Sequence, residues 1–204
     1  SLDGLELIAG EAALEGPGAV RVDGRVLRAP RIVLASGAEP ALPPVPGLDR
    51  TPHLTSDDVL ALSELPGRLL VVGAGPIALE LGQALGRLGA EVTLVEVASE
   101  FLQGSEREPA ELLRELLEEE GLRILVGARI GSVEPGPGGG VRKRASIEGE
   151  DLTLEGDALL VAAGRVASVD ALRLEAAGVD GGRGGIPVDA RLRTSAEGVW
   201  AAGD

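Results

Sequence analysis

Two glycines and an acidic residue are the residues of this sequence whose types and spacing best fit a chemical task. Gly73, Gly75 and Ala78 form a Gly-x-Gly-x-x-Ala pattern inside VVGAGPIALE, residues 71–80. In this pattern the first glycine permits a tight turn and the second lets the backbone approach a pyrophosphate, while the third, small residue lets a helix pack against a strand. Glu96 lies roughly 20 residues further on, where an acid can accept hydrogen bonds from ribose hydroxyls. The pattern predicts dinucleotide binding; the alternative for Glu96 is a solvated strand end.

These residues must be positioned by a strand before the turn and a helix after it. The free N–H groups and the positive dipole end of such a helix favour phosphate. From residue 68 onward the apolar pattern predicts alternating elements: strands at 68–72, 91–96 and 122–127, and helices at 76–88 and 105–120. The residues expected to face the sheet are Ile77, Leu81, Ala84, Leu85 and Leu88 on the first helix, and Leu112, Leu113, Leu116 and Leu117 on the second. This alternation is typical of a parallel sheet with helices on its faces.

The flanking regions predict more strands and a connector. Short strands are expected at 5–8, 19–22 and 25–35, a stiff proline-rich connector at 39–52 and a short helix at 57–62. A β-meander interrupted by EPGPGGG is expected over 129–155, followed by an apolar strand at 157–163. The predicted fold class is therefore α/β, a Rossmann-like nucleotide-binding domain with a parallel sheet and a β-meander.

Composition excludes several classes of function. The net charge of −14 argues against nucleic acid as a partner. The sequence contains no run of 18 apolar residues, so no membrane span is predicted, and a cytoplasmic location is the default expectation. Cysteine is absent, which excludes disulfides and thiolate metal sites in these residues, and the only histidine, His53, predicts a surface residue; no metal site is expected. The absence of methionine, even at position 1, suggests a segment of a longer protein.

Three other features of the sequence are candidates for a structural or a functional role. Arg142-Lys143-Arg144 could bind phosphate, but a solvated strand face flanked by acids is the favoured interpretation. Arg165 is either an ion-pair partner or a neighbour of a nicotinamide, and Trp200 is expected in the core.

Four motifs in order resemble one family, the FAD-dependent pyridine nucleotide–disulfide oxidoreductases, which include dihydrolipoamide dehydrogenase, glutathione reductase and mercuric reductase. The motifs are IVLASGAEPALPPVPG, LTSDDVLALSELPGRLLVVGAGPIALELGQALGRLGAEVTLVE, LLVAAGRVASVDALRLEAAGV and RTSAEGVWAAGD. One departure is Ala167-Ser168, where the family usually has Pro-Asn. Some segments resemble mercuric reductase and others dihydrolipoamide dehydrogenase, so the electron acceptor stays open.

The resemblance implies roles for individual residues. Gly73, Gly75, Ile77 and Ala78 match the pyrophosphate turn. The remaining matches are Glu80 near the nicotinamide ribose, Glu96 at the adenosine ribose, Ile130 as a backbone contact to the adenine part, Gly164 beside the nicotinamide, Ser36 and Gly37 at the flavin adenine, and Asp204 at the flavin ribityl chain. No catalytic residue is assigned within these 204 residues.

The resemblance also implies an organisation and a function. Residues 1–38 would belong to a partial FAD-binding domain, 39–66 to a connector, 67–166 to an NAD(P)-binding domain and 167–204 to a return into the FAD-binding domain. The first flavin motif and the redox cysteine pair would lie before residue 1, and a dimerisation domain after Asp204. The parent protein would be a homodimeric enzyme that passes hydride from NAD(P)H to FAD and on to a disulfide or metal-ion acceptor. The alternative is an isolated nucleotide-binding module without turnover.

NAD is expected in preference to NADP, because the carboxylate of Glu96 would repel a 2′-phosphate. No arginine lies within residues 97–106 to compensate.

Overall fold

The computed structural model describes residues 4–136, 140–147 and 150–204. The chain divides into two compact units, Pro40–Gly164 and the chain up to Glu39 together with Arg165–Asp204. The strands are β1 Ala12–Gly16, β2 Ala19–Val22, β3 Arg25–Arg28, β4 Ile32–Leu34, β5 Ala38–Pro40, β6 Arg68–Val72, β7 Glu91–Val95, β8 Arg123–Leu125, β9 Ala128–Pro135, β10 Val141–Ile147, β11 Glu150–Gly156, β12 Ala158–Val161, β13 Arg165–Ala167 and β14 Val199–Ala201. The α-helices are α1 Ser56–Val59, α2 Pro76–Arg87 and α3 Arg107–Glu119, and 3-10 helices cover Leu48–Arg50, Asp170–Leu172 and Leu174–Ala177.

A four-stranded parallel sheet forms the centre of the unit Pro40–Gly164. Its strand order is β12-β6-β7-β8, and Val72 of β6 pairs with both Val161 and Val95. Each of these strands is a short, nearly continuous apolar run because both faces of a parallel sheet are covered. The carboxyl ends of the strands meet at one edge, directly before Gly73, Glu96 and Ala162. The α/β fold class is confirmed.

The three antiparallel strands β9, β10 and β11, here called the meander, pack against this sheet. The strand order is β11-β10-β9, and residues 137–139 of the EPGPGGG segment lie outside the described residues. Because side chains alternate along a strand, Val141, Lys143 and Ala145 point to the buried face of β10, whereas Arg142 and Arg144 pair with Glu134 on the other face. The prediction of a solvated face is therefore wrong for Lys143.

Helix α2 follows the glycine turn but presents a different face from the one predicted. Its buried residues are Ala78, Leu79, Gly82 and Leu85, whereas Ala84 and Leu88 are exposed. The buried face of the helix therefore carries two small residues, Ala78 and Gly82, together with Leu79 and Leu85. Of the five residues predicted to face the sheet, only Leu85 is buried.

Helix α3 buries much less of its apolar stripe than its pattern predicts. Leu117 is 2% exposed, but Leu112, Leu113 and Leu116 are 57%, 37% and 49% exposed. The sheet ends at β8, an edge strand of only three residues. This edge covers the side of the helix that carries Ala110 and Leu117 and leaves the other leucines in solvent.

In the unit formed by the chain up to Glu39 and Arg165–Asp204, the strands of the described residues form three small sheets. Strands β1, β2 and β3 form an antiparallel sheet, β4 pairs in parallel with β14, and β5 pairs with β13. Trp200 on β14 is partly buried, and the surrounding core includes Leu14, Ile32, Leu34, Leu174, Val179 and Val199.

Three local predictions differ from the structure near the N-terminus. Residues 5–8 form no strand, whereas β1 was not predicted. The predicted strand at 25–35 is split into β3 and β4 around Pro30, whose nitrogen cannot donate a ladder hydrogen bond.

Within the described residues, no helix is long and apolar enough to cross a membrane.

We predict that Leu117→Ala destabilises the chain far more than Leu116→Ala. Leu117 lies in the core and its loss leaves a cavity, which typically costs about 2–5 kcal/mol, whereas the half-exposed Leu116 should cost less than about 1 kcal/mol. Urea unfolding followed by circular dichroism measures both free energies of unfolding. Equal losses would show that α3 is packed along the stripe that periodicity indicates.

Candidate functional site at the strand ends

The turn between β6 and α2 requires glycine at its first position for two reasons. Gly73 has φ of 104°, and a Cβ atom there would lie 2.5 Å from the carbonyl oxygen of Ala162. Its N–H donates a hydrogen bond to the carbonyl oxygen of Val95 at 2.9 Å. The turn is thus held against the ends of both neighbouring strands.

The second glycine of the turn is open where the first is crowded. Gly75 is the N-cap of α2 and Pro76 is the first helical residue. A Cβ atom at residue 75 would meet no atom within 4 Å, and φ of −77° allows any residue. Nothing inside the chain therefore requires glycine at this position, in contrast to Gly73.

The carboxylate of Glu96 is fixed by the backbone around it. Oε2 accepts a hydrogen bond from the N–H of Ala74 at 2.8 Å, and Oε1 accepts one from the N–H of Ala98 at 2.8 Å. The backbone of Glu96 is held as well, because its N–H donates to Leu125 and its carbonyl oxygen accepts from Ala128. Since a carboxylate offers about four lone-pair sites, the side chain keeps acceptor capacity for further donors.

A cavity of about 420 Å³, here called the strand-end cavity, lies at the carboxyl ends of β6, β7 and β12. Among the predicted site residues it brings together Gly73, Gly75, Glu96, Ile130 and Gly164, and its other lining residues are Pro43, Val45, Val72, Val95, Val97, Arg129, Ala162 and Ala163. The lining is mostly apolar with a few polar groups, as small-molecule sites usually are.

Three predicted residues of the nucleotide site lie outside the lining of this cavity. Ala78 lies on the buried face of α2 and is completely buried, which explains why a small residue is needed there. Ile77 is partly buried in the first turn of the helix, and Glu80 is exposed on its surface. These side chains do not face the cavity, although the backbone N–H groups at the start of α2 remain available.

Arg129 is a lining residue that sequence reasoning missed. Its guanidinium group has no ion pair among the described residues, and it lines the same cavity as Glu96. Residues 97–106 contain no arginine, but the meander brings Arg129 to the cavity from further along the chain. The only sign in the sequence that Arg129 lies at the site is its position directly before Ile130, which was expected to contact the adenine part.

The predicted flavin residues lie in the other unit, around a separate cavity. Ser36, Gly37 and Asp204 line a space of about 370 Å³, here called the Asp204 cavity, together with apolar residues such as Ala167, Val169 and Ile186. Oδ2 of Asp204 forms an ion pair with Nε of Arg165 at 3.2 Å, and Arg165 also donates to the carbonyl oxygen of Ala38. Of the two alternatives for Arg165, the structure shows the ion pair.

Lys143, the only lysine in the sequence, is buried near Glu96. The side chain is 0% exposed, and Nζ has no hydrogen-bond partner among the described residues. Burial lowers the pKa of the Lys143 ammonium from 10.5 to about 7, while the negative charge of Glu96 acts in the opposite direction. The one sign of this burial in the sequence is the place of Lys143 in the strand pattern, two residues from the apolar Val141 and Ala145 on either side.

Comparisons with known proteins agree with these features. A sequence model described as pyridine nucleotide-disulphide oxidoreductase matches residues 2–204. The chain is 38% identical to mercuric reductase from Bacillus cereus over 203 residues, and 41% identical to dihydrolipoyl dehydrogenase from Thermus scotoductus over 204 residues. Each alignment covers 98% of this chain, but only 32% and 44% of those relatives.

A solved structure is similar as well. The copper(II) complex of the HOCl-induced flavoprotein disulfide reductase RclA from Escherichia coli superposes with a TM-score of 0.89 at 32% identity. The superposition covers 100% of this chain and 46% of that one. The chain thus spans less than half the length of each of these similar proteins.

We predict that Lys143→Met raises the free energy of unfolding at pH 7 by on the order of 3 kcal/mol, because it removes a buried charge without a partner. The native pKa lies below the unfolded one, so between pH 7 and about 10 the unfolded chain binds more protons. In that window the wild-type stability should rise with pH relative to the variant, by up to about 1.4 kcal/mol per pH unit.

Urea unfolding at several pH values measures this difference. Arg144→Met, on the exposed face of the same strand, is the control and should show no such trend. A wild-type–variant difference that stays constant from pH 7 to 10 would contradict a buried, titrating amine.

Proposed function

Because the chain belongs to the pyridine nucleotide–disulphide oxidoreductase family, we propose that it contains the nicotinamide-nucleotide-binding part of a flavin-dependent oxidoreductase. In the whole protein, hydride would pass from NADH to FAD, and electrons would pass on to a disulfide or metal-ion acceptor. The observation that carries the proposal is the strand-end cavity, where the glycine turn, the fixed carboxylate of Glu96 and the start of α2 converge. Ligands of open α/β sheets bind at this edge.

The glycine turn and α2 would hold the pyrophosphate. Gly75 leaves open space at the start of a twelve-residue helix, and the first N–H groups of a helix have no partner within it. The backbone N–H groups of Ile77 and Ala78 are therefore the proposed donors, even though their side chains face elsewhere. The open space at Gly75 and these two N–H groups would fit an anion that approaches the backbone closely.

The two ends of the dinucleotide would lie on either side of this turn. Glu96 would accept hydrogen bonds from the adenosine ribose, and Ile130 would contact the adenine part. Gly164, which is exposed and has φ of 111°, would leave room beside the nicotinamide. Glu80 would lie near the nicotinamide ribose.

FAD would be held in part by the other unit. Ser36 and Gly37 would contact its adenine portion and Asp204 its ribityl chain, and all three line the Asp204 cavity. The ion pair with Arg165 involves one carboxylate oxygen of Asp204 and leaves acceptor positions for ribityl hydroxyls. When bound, the flavin supplies the hydride acceptor, and these residues bind and orient it.

These roles correspond to a proposed division of the chain. Residues 67–166 would form the nucleotide-binding domain after a connector at 39–66, and residues 1–38 and 167–204 would belong to the flavin-binding domain. The compact unit Pro40–Gly164 includes most of the proposed connector and most of the proposed nucleotide-binding domain. The parent protein would be a homodimer, as the family resemblance implies.

A nucleotide-binding module without turnover is the second candidate, favoured by one observation. The 204 residues contain no cysteine to exchange electrons with a disulfide. Mixing the chain with excess FAD, NADH and a disulfide acceptor and following absorbance at 340 nm separates the two. Oxidation above the free-flavin background would contradict the module.

We predict that Gly75→Ala weakens NADH binding by at least about tenfold while leaving the fold intact, because the added methyl group would occupy the space proposed for the pyrophosphate. Gly184→Ala is a matched control, since residue 184 also has an ordinary φ and no atom within 4 Å of a Cβ. Calorimetric titration with NADH measures affinity, and thermal unfolding checks the fold. Unchanged affinity in Gly75→Ala would contradict a pyrophosphate at this turn.

We predict tighter binding of NADH than of NADPH, by roughly tenfold to a hundredfold, because Glu96 would repel the 2′-phosphate at a cost of about 1–3 kcal/mol. Arg129 opposes this discrimination, so Arg129→Gln should widen the preference, and Glu96→Gln should narrow it. Titrations of the three proteins with both nucleotides test the signs. Equal or tighter binding of NADPH by the wild-type chain would contradict the role given to Glu96.

A further inference from the structure

We propose that Lys143 is a positioning residue of the dinucleotide site: its buried amine takes up a proton when the anionic dinucleotide binds, and the resulting ammonium ion stabilises the ionised carboxylate of Glu96. The proton comes from solvent and forms an N–H bond at Nζ, with no electron transfer. The inference rests on the proposed dinucleotide site and adds a residue that does not contact the ligand.

Lys143 lies on the buried face of β10, the central strand of the meander. Lys143 lies opposite Val133 of β9 and Leu154 of β11, which are both apolar and buried. Val133 and Leu154 belong to a hydrophobic cluster that also contains Val72 and Val95, the last residues of β6 and β7. Nζ has no hydrogen-bond partner among the described residues. An amine in this position is costly to charge unless an anion lies nearby.

The meander is tied directly to the end of β7, where Glu96 lies. The N–H of Ala128, the first residue of β9, donates a hydrogen bond to the carbonyl oxygen of Glu96 at 2.9 Å. The Glu96 carboxylate in turn accepts the N–H of Ala74 inside the glycine turn. A continuous set of contacts therefore connects the lysine-bearing meander, Glu96 and the proposed pyrophosphate position.

Glu96 is the charged group whose field acts on Lys143. The other charged side chains on the elements packed around β10 are exposed or paired elsewhere. Arg142 and Arg144 pair with acids of β9 and β11 on the far face of the meander, and Arg68 of β6 pairs with Asp157. Those that are exposed are Asp49, Arg50, Glu91, Arg129, Glu150 and Asp151.

Binding of a dinucleotide would change the field at Nζ in one direction. The pyrophosphate adds negative charge at the glycine turn, and the ribose displaces water that screens Glu96. Both effects favour the ammonium form, so the pKa of Lys143 would rise from about 7 on binding. By linkage, affinity would then fall as pH rises from 7 to the raised pKa, by up to tenfold per pH unit.

The sequence makes the titration directly measurable, because Lys143 is the only lysine. Incorporation of lysine labelled with ¹³C at Cε gives one side-chain resonance to follow by NMR between pH 5.5 and 10, with and without saturating NADH. We expect a midpoint near 7 in the free chain and a higher midpoint with NADH. Glu96→Gln should lower the free midpoint, since it removes the nearby negative charge.

Calorimetry in buffers of different ionisation enthalpy measures the proton itself. At pH 7.5–8, binding of NADH to the wild-type chain should take up a fraction of a proton. Lys143→Met should bind NADH without that uptake and with an affinity that no longer falls between pH 7 and 9. Arg144→Met, on the exposed face of β10, should behave like the wild type.

The outcomes separate this proposal from the one on which it rests. NADH binding with no proton uptake, an NMR midpoint that NADH does not move, or uptake that survives in Lys143→Met would each overturn the role of Lys143 and leave the dinucleotide site standing. Absence of any NADH binding by the wild-type chain would overturn both.

Discussion

The close approach of Gly73 to the carbonyl oxygen of Ala162 is the constraint on which the strand-end cavity depends. The carbonyl oxygen of Ala162, directly after β12, lies where the Cβ atom of any other residue at position 73 would be, and the N–H of Gly73 donates to Val95 at the end of β7. This contact fixes the direction in which α2 leaves the sheet. The position of Gly75, the burial of Ala78 and the hydrogen bond from Ala74 to Glu96 all follow from that direction.

The site combines a rigid carboxylate with cations at different depths. Glu96 is held by backbone donors on both oxygens, Arg129 stands at the cavity wall, and Lys143 lies buried in the meander. A buried amine without a partner lowers stability, and such costs are common where residues serve a site rather than the fold. The local charge balance therefore depends on the meander as well as on the glycine turn.

The sequence predicted the central sheet well and the rotation of its helices poorly. The short apolar runs at 68–72 and 91–96 predicted buried strands, and the glycine pattern predicted the turn between the first strand and the helix that follows it. Helix periodicity, in contrast, identifies an apolar stripe but not how much of it a neighbour covers. The extent of the sheet decides that, and β8 is too short to cover Leu112, Leu113 and Leu116.

The composition of the cavity was predictable only where the motif is local in sequence. Gly73, Gly75 and Glu96 lie within one strand–helix–strand unit, whereas Arg129 and Lys143 arrive from the meander, whose register no local pattern specifies. A basic triplet indicates a solvated face by composition. Strand alternation overrides that indication for its middle residue, because every second side chain must point inward.

Burial of the only lysine also makes its chemical modification a measure of local opening of the meander. A reagent that acylates amines cannot reach Nζ while the meander is closed, since the atom is shielded from solvent. Nζ can be modified only when the strands separate. The rate of modification therefore depends on the frequency of local opening and not on collisions with the surface of the folded chain. The fraction of Lys143 that carries the acyl group, measured by mass spectrometry on the peptide that contains it, therefore reports how often these strands separate.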